Sequence, residues 1–211
     1  MKPSFKQLIA DIVSPKAPGP STKFTTAHIF FALEMMAEKS IGRNSLAKKL
    51  EIGEGTVRTI VNRLKSCDLI GTTREGCSLT SKGQAVWKKF DELFPKRAVI
   101  GKTELTDSEF NYAFLVKNRG HNVRSGIEQR DAAIVAGAKG AVIIVSRQGH
   151  LEIESVSNRL EQKFPAAADK ILKTFCPENN DVVVLVGAVS PGKAKESAFA
   201  ASWTLISRNE A

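Results

Sequence analysis

Residues 53–66 read GEGTVRTIVNRLKS, and their periodicity decides how the first half of the chain is understood. At about 100° per residue, Val57, Ile60, Val61 and Leu64 fall into one apolar stripe roughly 100° wide, which predicts an amphipathic helix with that stripe turned inward. Opposite the stripe lie Gly55, Thr59 and Asn62, flanked by Arg58 and Arg63. This polar face carries the residue types that bond base edges and phosphates: Arg to guanine, Asn to adenine, Thr to either. Gly55 leaves room for close backbone approach, and the free N–H groups of a first helical turn suit a phosphate. Any surface helix has a polar face, so the neighbouring elements carry the decision.

Upstream, AHIFFALEMMAEKS follows the capping residues Thr25 and Thr26 and places Ile29, Leu33 and Met36 one turn apart, as a helix requires. A short helix from about Asn44 to Leu50 buries Leu46 and Leu50, and Glu51–Gly55 makes the turn into the quoted helix. The opening stretch supplies a third helix. Downstream, LIGTTREGCSLTSKG reads as two short strands around Arg74, Glu75 and Gly76, followed by a helix carrying Val86, Trp87, Phe90 and Leu93. Helix, helix, turn, helix, hairpin, helix is the order of a winged helix-turn-helix, and it predicts that the polar face enters a major groove.

Charge agrees. The 211-residue chain carries a net +9, and residues 1–97 hold 17 Lys and Arg against 9 Asp and Glu, while residues 98–211 hold 14 against 13. An excess confined to one half calls for an acidic partner there, nucleic acid or an anionic surface. No apolar run reaches the ~18 residues of a bilayer span and MKPSFKQLIADIVSPK lacks the pattern of a signal peptide, so a cytoplasmic protein without membrane contact is expected. Cys67, Cys77 and Cys176, with His28, His121 and His150, are too scattered for a disulfide framework or a metal site, and no cofactor is expected.

The stretch IGRNSLAKKLEIGEGTVRTIVNRLKSCDLIGTTREGCSLTSKG resembles the winged-helix domain of prokaryotic, especially archaeal, transcriptional regulators. The resemblance implies base contacts from Thr56, Arg58, Thr59, Asn62 and Arg63, phosphate contacts from Arg43 and Ser45, and a wing tip at Arg74. It also implies double-stranded DNA as the partner and a homodimer on a near-palindromic site. The short wing, with Glu75 beside Arg74, departs from deep minor-groove insertion.

The second half has another texture, and a boundary at 95/96 divides the chain into domains 1–95 and 96–211, with FPKRAVIGK as linker. NYAFLVKN reads as a strand, SGIEQRDAAIVAGA as a helix and AVIIVSRQGHLEIES as a hairpin turning near Gln148 and Gly149. A helix from about Pro165 to Phe175, the buried strand DVVVLVGAVS and a helix from about Lys193 to Ser207 follow. This β-α-β-β-α-β-α order predicts a small α/β sandwich of the split-βαβ kind, and the fold class of the whole is α+β. VRSGIEQRDAAIVAGAKGA resembles an archaeal domain of unknown function found behind such winged helices, which implies an architecture and no chemistry.

Two places in this half could bind a ligand. Ile127, Ile134 and Ala138 share a side with Arg130 and Asp131, and small alanines make the other side, so the helix is expected to be buried nearly all round. Charges in such a setting are paired, for example through Arg124 or Glu128, or they hold a polar guest. The SPGK turn, with Ser190, Gly192 and Lys193, offers free N–H groups and a cation to an anion, or is simply a turn; GxxxxGK[ST] is absent. The expected whole is a non-enzymatic, dimeric, DNA-binding transcriptional regulator whose C-terminal half senses a small polar or anionic ligand or provides the dimer interface. The alternative is an enzyme or nucleotide-binding domain controlled by an attached winged helix.

Overall fold

The computed structural model describes residues 4–15, 23–154 and 156–207; of the opening segment 1–24, residues 1–3 and 16–22 lie outside it. The chain is mixed α/β and clusters into two compact units, one built on residues up to Phe90 and the other on Asp91–Ile206. The N-terminal unit is helical with one hairpin: α1 (Phe5–Val13), α2 (Thr26–Glu38), α3 (Arg43–Leu50), α4 (Glu54–Ser66), β1 (Ile70–Thr73), β2 (Gly76–Leu79) and α5 (Ser81–Leu93). The division between the units falls inside α5.

The stripe of α4 is turned inward, with Val57, Ile60, Val61 and Leu64 all buried. Ile9 and Ile12 of α1, Ile29 and Leu33 of α2 and Leu46 of α3 are buried as well, none of these five more than 1% exposed. Burying one such side chain is worth about 1.5–3 kcal/mol, so this stripe alone orients α4. Phe5, Phe30 and Phe90 meet edge to face, at 4.7 Å and 5.1 Å between centroids. At the start of α2, His28 Nδ1 accepts the N–H of Thr25 at 3.0 Å, which gives that histidine a capping role. The hairpin runs antiparallel from Ile70↔Leu79 to Thr73↔Gly76, leaving Arg74 and Glu75 as a two-residue turn. Ile41 and Cys77 exchange backbone bonds of 3.0 Å and 2.8 Å, so β2 is clipped to the segment ahead of α3. Gly76, at φ 129°, is required there, because a Cβ would come within 2.6 Å of the Ile41 carbonyl.

The C-terminal unit contains β3 (Lys96–Val99), β4 (Phe110–Val116), a 3-10 turn at Gly120–Asn122, α6 (Ile127–Val135), β5 (Ala138–Arg147), β6 (His150–Ile153), α7 (Leu160–Lys163), α8 (Pro165–Phe175), β7 (Val182–Ala188) and α9 (Pro191–Thr204). The sheet order is β3-β4-β7-β5-β6, antiparallel throughout. The connection from β4 through α6 to β5 therefore skips one strand, β7, and that from β6 through α8 to β7 skips β5. Each is a split βαβ unit. Phe114 turns to α9, where Phe199 lies at 5.9 Å, and its neighbours Ala113 and Leu115 turn to the α8 side with Ile171 and Phe175. β7, covered on both faces, is buried at all its positions, the pattern of a central strand.

Two expectations for this half are overturned. The segment expected as a linker forms β3, paired with β4 from Lys96↔Leu115 to Val99↔Tyr112; its charges read as loop because an edge strand tolerates Lys and Arg on its open side. α6 is not buried all round: only Gln129 and Ala133 are, and Arg124, Glu128, Arg130 and Asp131 are exposed. The alanines of α6 carry no signal of covering, since Ala fits a covered or an open helix face equally well. No helix among the described residues is long and apolar enough to cross a membrane.

Candidate functional site

The turn into α4 begins at Glu51, which ends α3 in the left-handed region at φ 55°. Gly42 and Gly53 are the N-caps of α3 and α4, and neither helix start receives a side-chain cap. The first-turn N–H groups of α3 are left open to an acceptor from outside, whereas in α4 that of Thr56 already bonds the Gly53 carbonyl at 2.9 Å. The two starts differ in charge. Glu54 stands in the first turn of α4 and weakens its pull on an anion, whereas the first turn of α3 carries no acid. The better phosphate seat is therefore the start of α3, beside Arg43 and Ser45.

The outward face of α4 exposes Gly55, Arg58, Thr59 and Asn62. A Cβ on Gly55 would meet nothing within 4 Å, so packing within the chain does not demand glycine there. Thr59 Oγ1 donates to the Gly55 carbonyl at 3.1 Å, which leaves its lone pairs outward. Next to this face is a groove of about 640 Å³ between the start of α3, the end of α4 and the hairpin. Arg43 and Ser45 enter it from α3, Asn62 and Lys65 from α4, and Arg74 from the hairpin turn, with no carboxylate among its lining residues. Lys65 Nζ is drawn toward the hairpin by Thr72 Oγ1 at 3.2 Å. Burial pushes the Cys77 thiol up from its ordinary value, and Arg43 and Lys65 pull it partly back, a sign of how closely the two cations converge.

Two residues expected on this face are placed otherwise. Arg63 donates through Nη1 to the carbonyls of Ile12 and Ser14, at 2.6 Å and 2.7 Å, and stacks over Phe24 at 5.2 Å. It closes the C-terminus of α1, so its charge is engaged inside the unit. Thr56 is half-buried. Conversely, Lys65 and Asn44 line the groove without having been anticipated. Extending the helical projection of α4 by one step, from Asn62 to Lys65, is the signal that would have found the first of them.

In the C-terminal unit the expected ligand residues do not converge. Arg130 lines a groove of about 350 Å³ with Ser125 and Ile127, but Arg124, Glu128, Asp131, Ser190, Gly192 and Lys193 are not among its lining. Lys193 lies against Gly137, past the C-terminal end of α6, and pairs with Glu196 at 2.9 Å. Ser190 caps α9 by accepting the N–H of Lys193. The turn is thus closed by its own side chains, and none of its residues lines the Arg130 groove. Among the described residues no group of three His, Cys, Asp or Glu could hold a metal ion.

Residues 28–85 match a family model described as "PH0730-like, N-terminal domain", and residues 108–205 match "Domain of unknown function (DUF4443)". Among solved structures the chain is similar to the hypothetical protein PH0730 from Pyrococcus horikoshii OT3, an archaeal protein, at 28% identity and a TM-score of 0.70, over 87% of this chain and 93% of that one. No curated protein matches.

Proposed function

We propose that the chain is a DNA-binding transcriptional regulator, not an enzyme, whose N-terminal unit is a winged helix-turn-helix and whose C-terminal unit holds two copies together. The single observation behind this reading is the outward face of α4, where Arg58, Thr59 and Asn62 surround a glycine that the fold itself leaves unexplained. Close approach of a foreign surface accounts for Gly55, and the acid-free groove of Arg43, Lys65 and Arg74 beside it suits a phosphate strand. α4 is then the helix that reads the major groove, with the start of α3 fixing the backbone and Arg74 reaching along it from the short hairpin. The residues expected to hold an anionic effector line no common groove with Arg130, and pairing of two copies is the role assigned to the C-terminal unit here.

The test is a titration of the full chain with mixed-sequence duplex DNA, followed by selection from a randomised duplex pool. Affinity is expected to fall with salt by a log–log slope of several units. Arg58→Ala and Asn62→Ala each remove a bidentate base contact worth about 1–3 kcal/mol and relax base preference, whereas Arg43→Ala weakens all sequences alike. Binding that ignores salt, or Arg58 and Asn62 variants with unaltered affinity and preference, would remove α4 as the reader.

A further inference from the structure

α6 is the least covered long helix of the C-terminal unit. Its buried side is held to α9, where Gln129 Nε2 donates to Thr204 Oγ1 at 2.8 Å. The side turned away exposes Ile127 by 59% and Ile134 by 42%. Scattered exposed aliphatics are ordinary; two of them one heptad apart on a nine-residue helix make a stripe.

The sheet beneath has an unfinished edge on the same side. β5 pairs with β7 from Ala138 to Val145 but with β6 only from Ile144 to Arg147. Ser146 gives its N–H to Asp181 and accepts from Asn180, on the β7 side, so strand alternation turns the polar groups of Ile143 and Ala141 the other way. No described strand lies there, and the 350 Å³ groove runs along these residues. Gly126 packs on Ile143 and Gly137 leads into Ala138, so the middle of α6 lies over the open stretch.

We infer that this face seats a second copy of the chain, related by a two-fold axis that crosses α6 between Arg130 and Asp131. Such an axis runs the two α6 helices antiparallel and matches position 127 with 134 and position 130 with 131, since the members of each pair are equidistant from it. Ile127 of each copy meets Ile134 of the other. Between them the two Arg130 and two Asp131 side chains form a group without net charge. Along the exposed stripe of this segment Ile127 and Ile134 stand at the ends and Arg130 and Asp131 in the centre, so the two-fold sets each apolar end on the other and each central charge against its opposite. Lys139, exposed where the register of β5 shifts between Ala138 and Gly140, keeps the open edge from adding strands indefinitely, so the assembly stops at two.

The inference rests on the dimeric part of the proposed function and specifies its surface. Sedimentation of the full chain at tens of micromolar should give the mass of a dimer. Ile134→Glu should give that of a folded monomer whose melting temperature, unlike that of the wild type, does not change with protein concentration. Arg130→Cys in a Cys176→Ser background should form a disulfide-linked dimer under mild oxidation, because the axis passes beside that position. A dimer that survives Ile134→Glu and does not cross-link overturns the surface while leaving the dimeric reading intact. A monomeric wild type overturns both, and DNA binding is then judged alone.

Discussion

Arg58 and Arg63 stand on the same helix, and a helical projection puts both at the flanks of its polar face. The structure separates them by a contact the projection cannot contain: the end of α1, some fifty positions earlier, lies against Arg63. Arg63→Ala should therefore cost about 2 kcal/mol of unfolding free energy in urea while leaving base preference unaltered. Arg58→Ala should stay within about 0.5 kcal/mol of wild type and lose DNA affinity instead. Asp181 was equally invisible in its NND turn. It is 1% exposed and accepts from the N–H groups of Asn118 and Glu178 and from Lys117 Nζ, each at 2.9 Å. Asp181→Ala, which strands those donors, should cost about 3 kcal/mol by the same measurement. Burial pushes the Lys117 ammonium down from its ordinary 10.5, but its bonds to Glu178 and Asp181 outweigh that and raise it. The stabilisation is thus complete below pH 10.5 and lost as pH rises through the higher folded value, and Lys117→Met should remove that part of the alkaline fall.

At the scale of elements, apolar periodicity was legible wherever one face is covered and the other is not. α4 is the clearest case, because its stripe contains no alanine and its outward face no aliphatic. α6 is not legible because alanine carries no information about covering, and β3 is not because four residues with two cations offer no period. Glycines report on packing that neither pattern shows. Gly83, in α5, lies so close to the residue just ahead of β1 that a Cβ would come within 1.9 Å of the Leu69 carbonyl oxygen, whereas Gly55 faces open space. Gly83→Ala should destabilise the N-terminal unit by about 3 kcal/mol or more in thermal or urea unfolding. Gly55→Ala should stabilise it by about 0.5 kcal/mol and yet weaken DNA binding, a pair of signs that a structural role for Gly55 would not produce.

For the molecule as a whole, the sequence showed two differently charged halves and the order of most elements, but not the order of strands across the C-terminal sheet. Neighbouring strands there come from distant parts of the chain, and local periodicity says nothing of which strand lies beside which. β7 is the instructive one. It stands between β4 and β5, which are not paired with each other, and pairs residue by residue with both. During synthesis the ribosome delivers β4, α6, β5 and β6 while the place between them is still vacant, and the hairpin of β5 and β6 has only half of its final neighbours. Long-range strand pairing of this kind is slow and leaves edges bare while it waits. Helices α1 to α4 and the hairpin of the N-terminal unit all precede Phe90 and wait for none of these strands. The nascent chain therefore emerges with its basic half ready to fold and its second half held back until Ala188 has cleared the exit tunnel.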